Sequence, residues 1–443
     1  MKLARLGIGS VVLGGVAIAV ACGTSTNEPD SGTDTGVPDV ATQDVKSNDV
    51  TANDVTASDA NADVVDASVD ACTATPCVTQ LAAGYLYECA RLSDQTVSCW
   101  GSNAQGALGR SLGGDASTSS QPAPVSGLSN VVQIAAGFYH ACALRSDNHV
   151  LCWGGNALGQ LGTNAADAGN VVLTPQDIPG IPGTIASIHA GGYFTCAHLT
   201  DKRVFCWGDA EWGNLGGTLG DAGTYLPQSQ RTPVEITAVG TPDEINAGDR
   251  YTCVRAGTNV SCLGNNTFGQ LGRPDASFTL NDNTAQLTIG GATAVYESEA
   301  YHACALAGGN VVCWGDNSNG QVGSADGGAK VETPNTVQGL PAIADLSAGG
   351  ISTCARTAAG TLKCWGSNIA GEMAMPLDAG ASFPSPVDIS GVSNVVQVAA
   401  GHTTICALIQ GGSVMCWGFN TSGELGRAPD AGVADYVPAP VSF

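Results

Sequence analysis

VVQIAAGFYHACALRSDNHVLCWGGNALGQLG, residues 131–162, is the stretch from which the fold can be read. Val131 to Gly137 reads as one strand, His140 to Leu144 as a second and Val150 to Gly154 as a third, joined by polar and glycine-containing links as in successive hairpins. After Trp153-Gly154 comes a turn of the form G-x-N-x-x-G-x-L-G, ending at Gly162. Asn and Gly suit it because they tolerate the left-handed backbone conformation. Proline-flanked apolar segments such as Pro122-Ala123-Pro124-Val125 and Pro384-Ser385-Pro386-Val387 follow these turns. Proline cannot donate to a ladder, so this fourth strand belongs at a sheet edge.

The same phrase returns seven times, with a period of roughly fifty residues. Four short antiparallel strands per unit predict one propeller blade, and seven units predict one ring. An open solenoid would need polar caps at both ends. The first unit begins at Val78 without a preceding proline segment, and Pro438 to Phe443 has the form of that segment. The expectation is therefore an all-β, seven-bladed β-propeller over residues 72–443, closed by its C-terminal strand beside the amino-terminal unit.

Each unit carries two cysteines nine or ten positions apart across a hairpin: Cys89 with Cys99, Cys142 with Cys152, Cys196 with Cys206, Cys253 with Cys262, Cys304 with Cys313, Cys354 with Cys364, and Cys406 with Cys416. Neighbouring strands bring such positions to Cα separations of about 4.5–5.5 Å, within disulfide range. Of the 17 cysteines, Cys22 has a separate explanation, and Cys72 with Cys77 completes the pairing. The pairs lie far apart in sequence and C-x-x-C is absent, so disulfides are expected rather than zinc, and no metal site is expected.

Residues 1–21 read as an export signal: Lys2 and Arg5 precede an uncharged apolar run that ends in Ala19-Val20-Ala21. Cys22 directly after these small residues resembles a bacterial lipobox, which implies acylation of its thiol. Residues 22–71 then form an acidic tether. Asp34, Asp39, Asp44, Asp49, Asp54 and Asp59 recur at every fifth position, and no aromatic residue is present to support a core. The expected address is the bacterial cell envelope, with membrane attachment through the lipid alone. A net charge of −23 with only 16 basic residues argues against nucleic acid, whose phosphates need clustered Lys and Arg.

The strings A-A-G-x-x-H-x-C-A-L, V-x-C-W-G and G-x-N-x-x-G-Q-L-G, in that order, resemble the regulator of chromosome condensation repeat family. The match is strongest at residues 140–162, and the resemblance implies a seven-unit ring over nearly all of 78–443. Repeat four departs from the pattern with Leu263 in place of tryptophan and lacks a proline strand. Repeat five is read with Glu299 where the other repeats have glycine, and repeat six has Met373-Ala374 for Leu-Gly. The family's eukaryotic founder is a nuclear exchange factor for a small GTPase that docks on nucleosomes. Secreted bacterial relatives include β-lactamase inhibitory proteins that bind through aromatic-rich loops, a comparison better suited to an exported chain.

Aromatic residues make up only 5% of the chain, yet they cluster between the repeat's glycine and first cysteine. Tyr85, Tyr87, Phe138, Tyr139, His140, Tyr193, Phe194, Arg250, Tyr251, Tyr301, His302 and His402 are the candidate binding residues, gathered around one channel mouth if each segment is a first-to-second-strand turn. Tyrosine with Arg and His is a composition that protein interfaces favour. A competing reading places the rings between blades as core, and repetition of His140 and His302 at one position favours structural hydrogen bonds. The tryptophans after cysteine are expected in the core. A second series, Asp115, Asp167, Asp221, Asp275, Asp326, Asp378 and Asp430, reads as turn chemistry on one rim.

No nucleotide-cradling loop, His-Glu-x-x-His or activated nucleophile is legible, so neither a catalytic site nor a cofactor is expected. The sequence reading is thus a monomeric, non-catalytic, surface-anchored scaffold for a protein or an envelope polymer. The alternatives are an envelope glycan hydrolase or lyase with channel carboxylates and, from the family resemblance alone, guanine-nucleotide exchange.

Overall fold

In the computed structural model the described residues are 76–113, 117–163, 170–216, 229–274, 285–287, 289–298, 300–325, 328–429 and 434–443. The export signal, Cys22, the tether and Cys72 lie outside them, as do Asp115, Asp167, Asp221, Asp275, Asp326 and Asp430; Asp378 sits in a single 3-10 turn, Leu377–Ala379. The described strands form seven four-stranded antiparallel sheets, each ordered in space as in sequence. Blades 1 to 7 cover residues 78–124, 131–177, 185–235, 244–287, 292–336, 343–388 and 395–440.

Blade 2 shows how the repeat folds, with strands Val131–Ala136, His140–Arg145, Val150–Gly155 and Val171–Asp177. The third strand is almost wholly buried, whereas the proline-bearing fourth is largely exposed, as an edge strand should be. Blade 4 lacks the proline segment, and among the described residues its fourth strand is Ala285–Leu287. The first strands of all seven blades line a central cavity of about 300 Å³.

Every cysteine pair named from the repeat is a disulfide between directly opposed residues of second and third strands, with Cα separations of 4.0–4.2 Å. Cys77 is also disulfide-bonded.

The blades meet at seams that repeat the same bonds. The indole N–H of Trp153 donates to the Ala107 carbonyl of the preceding blade at 2.8 Å, and Trp207, Trp314, Trp365 and Trp417 do likewise at 2.9–3.0 Å. Closer to the channel, the Gln80 amide accepts from Ile134 N–H at 2.9 Å and donates to its carbonyl at 3.0 Å, and Gln133 treats Ile188 in the same way. These paired bonds extend backbone-style hydrogen bonding across a gap where no strands pair.

The seam between blade 7 and blade 1 is built like those between blades 1 and 2 and between blades 2 and 3. Gln397 accepts from Leu81 N–H at 2.8 Å and donates to the Leu81 carbonyl at 3.1 Å, while Trp100 donates to the Glu424 carbonyl at 2.8 Å. The ring is therefore closed, but not by the strand addition expected from the sequence. The last strand, Ala434–Pro440, pairs with Ser413–Phe419 of its own blade, and blade 1 has its own fourth strand, Thr118–Pro124. The tail contributes by packing instead: Val441 joins the buried cluster around Trp100, and Phe443 meets the Trp100 ring edge-on at 5.5 Å. Val125 packs beside Trp153 in the same manner, so the tail ends as blade 1 does.

Repeat five also corrects the sequence reading. Ser298, not Glu299, takes the glycine position: Ser298 N–H bonds the His302 carbonyl just as Gly137 N–H bonds that of His140. This turn is thus one residue longer than the others.

Two matched substitutions test closure. Gln133→Leu and Gln397→Leu each remove a two-bond clamp, and each is expected to lower unfolding free energy by about 1–3 kcal/mol in denaturant titrations. A neutral Gln397→Leu beside a destabilising Gln133→Leu would show the ring open at its last seam.

Candidate functional site

In each blade the turn after the first strand is aimed by the third strand of the same blade. The Tyr139 carbonyl accepts from Gly155 N–H at 2.7 Å, and the carbonyls of Tyr193, Arg250 and Tyr301 accept from Asp209, Asn265 and Asp316 N–H at 2.8–2.9 Å. The approach depends on the glycine after tryptophan. Gly154 has φ +102°, and a Cβ there would lie 2.4 Å from the Tyr139 oxygen. The turn is therefore held by backbone bonds, and its side chains project over one end of the channel.

The twelve candidate residues divide between the turn and the first position of the second strand. Tyr139, Tyr193, Arg250 and Tyr301 precede the second strand, Tyr85, Phe138 and His402 stand one position earlier, and all seven are half-buried at the mouth. Tyr87, His140, Phe194, Tyr251 and His302 come one position later and are buried in the seams. With their side chains enclosed there, these five are not available to a partner. Tyr87 donates to the His140 carbonyl and Tyr251 to that of His302, both at 2.5 Å. His140 and His302 bond the Thr195 and Thr353 hydroxyls at 2.8 Å, and burial holds each imidazole near a pKa of about 3, hence neutral. The six tryptophans after cysteine are fully buried.

The mouth rings touch from blade to blade. His402 lies 4.5 Å from Tyr85 between centroids, Tyr85 meets Phe138 edge-on at 5.5 Å, and Phe138 meets Tyr193 at 5.2 Å. Arg250 continues the arc, its guanidinium 5.8 Å from the Tyr193 centroid and 5.5 Å from that of Trp212. Beyond it, Phe268 stacks on Tyr301 at 4.5 Å. Burial beside Tyr139 pushes the Tyr193 hydroxyl up to about 12, and burial also lowers the pKa of His402, so these groups stay uncharged.

Sequence reasoning missed Trp212, Phe268, Asp209 and Asp249. Trp212 and Phe268 occupy one position of the Gly-rich turn, which connects third and fourth strands at the same end of the blade. The available signal was that Trp212 is the one tryptophan not following a cysteine. Asp209 and Asp249 lie beneath Arg250 with side chains 2% and 3% exposed, 3.8 and 3.9 Å from its Nε. Burial raises both carboxyls, that of Asp249 to about 6, and Tyr301 donates a hydrogen bond to Asp249.

The channel walls hold two further carboxyls, Glu297 and Asp345. Burial raises Glu297 well above the carboxylate range and Asp345 to about 6, the latter against the opposing pull of Arg356. No cluster of potential metal ligands occurs among the described residues, and none of their helices is long and apolar enough to cross a membrane.

The family model described as RCC1-like domain matches residues 112–442. The chain is 28% identical to ultraviolet-B receptor UVR8 of Arabidopsis thaliana over 339 residues, covering 75% of this chain and 63% of that protein. It is 27% identical to probable E3 ubiquitin-protein ligase HERC6 of Homo sapiens over 342 residues, but spans only 26% of that protein's length. Prp20p from Saccharomyces cerevisiae, described with its binding to Gsp1p and histones, shares the fold: TM-score 0.70, 22% identity, 83% of this chain and 88% of that one.

The raised carboxyls set the sign of a pH effect. Asp249 and Asp345 hold protons in the folded state up to about pH 6 that the unfolded chain releases near 4. Their contribution to stability is full below the unfolded value and is lost as pH rises through the folded one. Asp345→Asn, uncharged throughout, is expected to raise the melting temperature at pH 7.5 by about 2–4 °C and to flatten its dependence between pH 4 and 7. An unchanged pH profile would show the carboxyl to be ionised alike in both states.

Proposed function

From the premise that the chain belongs to the RCC1-like domain family, we propose that it is a protein-binding propeller that captures its partner on the aromatic mouth. One observation carries this reading: accessible rings run in contact from His402 across Tyr85, Phe138 and Tyr139 to Tyr193. Core packing does not require them there, because the seams are already filled by tryptophan and by the alternate residues Tyr87, Phe194 and Tyr251. Rigid amphipathic rings bury area at low entropic cost, which suits a recognition surface.

The same proposal places the propeller outside the cell on a lipid. Support comes from Lys2 and Arg5 before an apolar run, small residues ahead of Cys22, and seven disulfides that need an oxidising compartment. The aspartate-rich segment 22–71 then serves as spacer.

A second reading, an envelope glycan hydrolase or lyase, rests on Glu297 and Asp345 in the channel wall. A turnover assay on purified protein separates the two, since a scaffold gives no product.

The double substitution Tyr139→Ala with Tyr193→Ala is expected to reduce capture of the partner from envelope extract at least tenfold while shifting the melting temperature by less than about 3 °C. Unfolding of this variant would instead make the rings core and sink the mouth reading. Separately, Cys22→Ser should abolish incorporation of labelled palmitate in a bacterial host, and retained label would overturn the lipid anchor.

A further inference from the structure

The mouth is chemically divided. The mouth turns of blades 7, 1 and 2 carry aromatic residues and no Asp, Glu, Lys or Arg, whereas over blades 3 to 5 aromatic rings stand around the buried Asp209 and Asp249. In the other six mouth turns there is neither lysine nor arginine, and Arg250 is the one cation there. Against it stand Asp209 and Asp249, with Glu211 and Asp316 close enough to act on their neighbours electrostatically.

The bonding at this point is incomplete in a specific way. Asp209 Oδ2, Asp249 Oδ1 and Arg250 Nε are all buried and without a hydrogen-bond partner. They face one another across 3.8 and 3.9 Å, too far for a hydrogen bond. A carboxylate oxygen stripped of water and left unbonded is costly, and one resident cation does not satisfy two of them. Tyr193 and Trp212 present their rings to the Arg250 guanidinium, the geometry in which an aromatic face holds a cation. Arg250 itself is held at φ +61°, a left-handed conformation unfavourable to a side-chain-bearing residue.

We infer that the mouth over blades 3 to 5 is a receptor for a basic side chain, arginine or lysine, presented by the partner protein, whose adjacent apolar residues lie on the rings of blades 7, 1 and 2. The inference rests on the mouth being the binding surface and adds the chemistry of what binds there. The entering N–H groups supply the donors that Asp209 Oδ2 and Asp249 Oδ1 lack, and its charge offsets the second carboxylate. Arginine, with a planar fork of donors, fits two carboxylates better than lysine does.

The test uses full-length protein labelled at its indole nitrogens and two probes, acetyl-Leu-Arg-Leu-amide and its isosteric, uncharged citrulline counterpart. Binding is followed by two-dimensional NMR at the Trp212 indole resonance, assigned with Trp212→Phe. At pH 7.5 the arginine peptide should bind at least fivefold more tightly than the citrulline peptide. Asp209→Asn with Asp249→Asn should bring the two within twofold. Arg250→Gln, which removes the resident cation and leaves both carboxylates, should widen the preference, so the idea does not depend on one variant folding. Equal affinity for the two probes, no perturbation of Trp212 by either, or an arginine preference that survives the double Asn substitution would overturn the inference. Envelope capture that still depends on Tyr139 and Tyr193 in that event would leave the mouth reading standing, whereas its loss of dependence would remove both.

Discussion

One contact organises the molecule: in six of the seven blades an indole reaches back to the Gly-rich turn of the blade before it. The acceptor is always the carbonyl between the second glycine and the following apolar residue, as at Ala107 and Gln160. That same turn begins at the glycine against which the mouth turn is pressed, as Gly154 is against Tyr139. Blade-to-blade attachment and presentation of the mouth side chains are therefore two consequences of one loop geometry. A change that loosens the loop is felt at the seam and at the surface together.

The disulfides do a different job. Each of the seven repeat disulfides joins opposed residues of one hairpin across a sequence separation of nine or ten, so each stabilises its own blade and none of the seven crosses a seam. Blades made rigid in this way still have to be held in a ring by indoles, glutamine clamps and apolar packing. The closing seam contains all three, through Trp100, Gln397 and Val441. No strand has to be shared between the ends of the propeller, because the closing seam is as well bonded as the interior ones.

What could be read from the sequence was whatever repeats within a hairpin. The cysteine pairing, the edge placement of the proline strands and the buried tryptophans all follow from local spacing, and all are present in the structure. Closure by strand addition was inferred from where the proline segment falls, but the segment belongs to the blade it follows. The glycine position in repeat five was misplaced by one, because backbone bonding reveals the longer turn between Ser298 and His302 while residue types alone do not. The twelve candidate residues do fall in and beside the turns after the first strands, yet half-buried and fully buried side chains were pooled. Tyr85 and Tyr87 differ by two positions, but a turn intervenes before Tyr87 enters the strand, so simple alternation could not sort them. Asp209 and Asp249 come from different blades, and their meeting beneath Arg250 has no signature in either segment.

Blade 4 links the irregular seam to the charged half of the mouth. It alone lacks the tryptophan, having Leu263, and the carbonyl that an indole would take, that of Asn214, accepts instead from the Thr252 hydroxyl at 3.0 Å. Thr195 and Thr353 make the same bond in blades that keep their tryptophan, so the hydroxyl is a second donor that can hold the acceptor by itself. The residue two places before Thr252 is Arg250 and the one before that is Asp249. The blade whose seam relies on the smaller donor is thus also the one whose mouth turn departs from the apolar pattern. Tyr251, between the two sites, stays fully buried and bonds the next blade, which separates them mechanically. A turn anchored on one side by Tyr251 and on the other by the Asn265 N–H can exchange an aromatic mouth for a charged one without disturbing the ring beneath it.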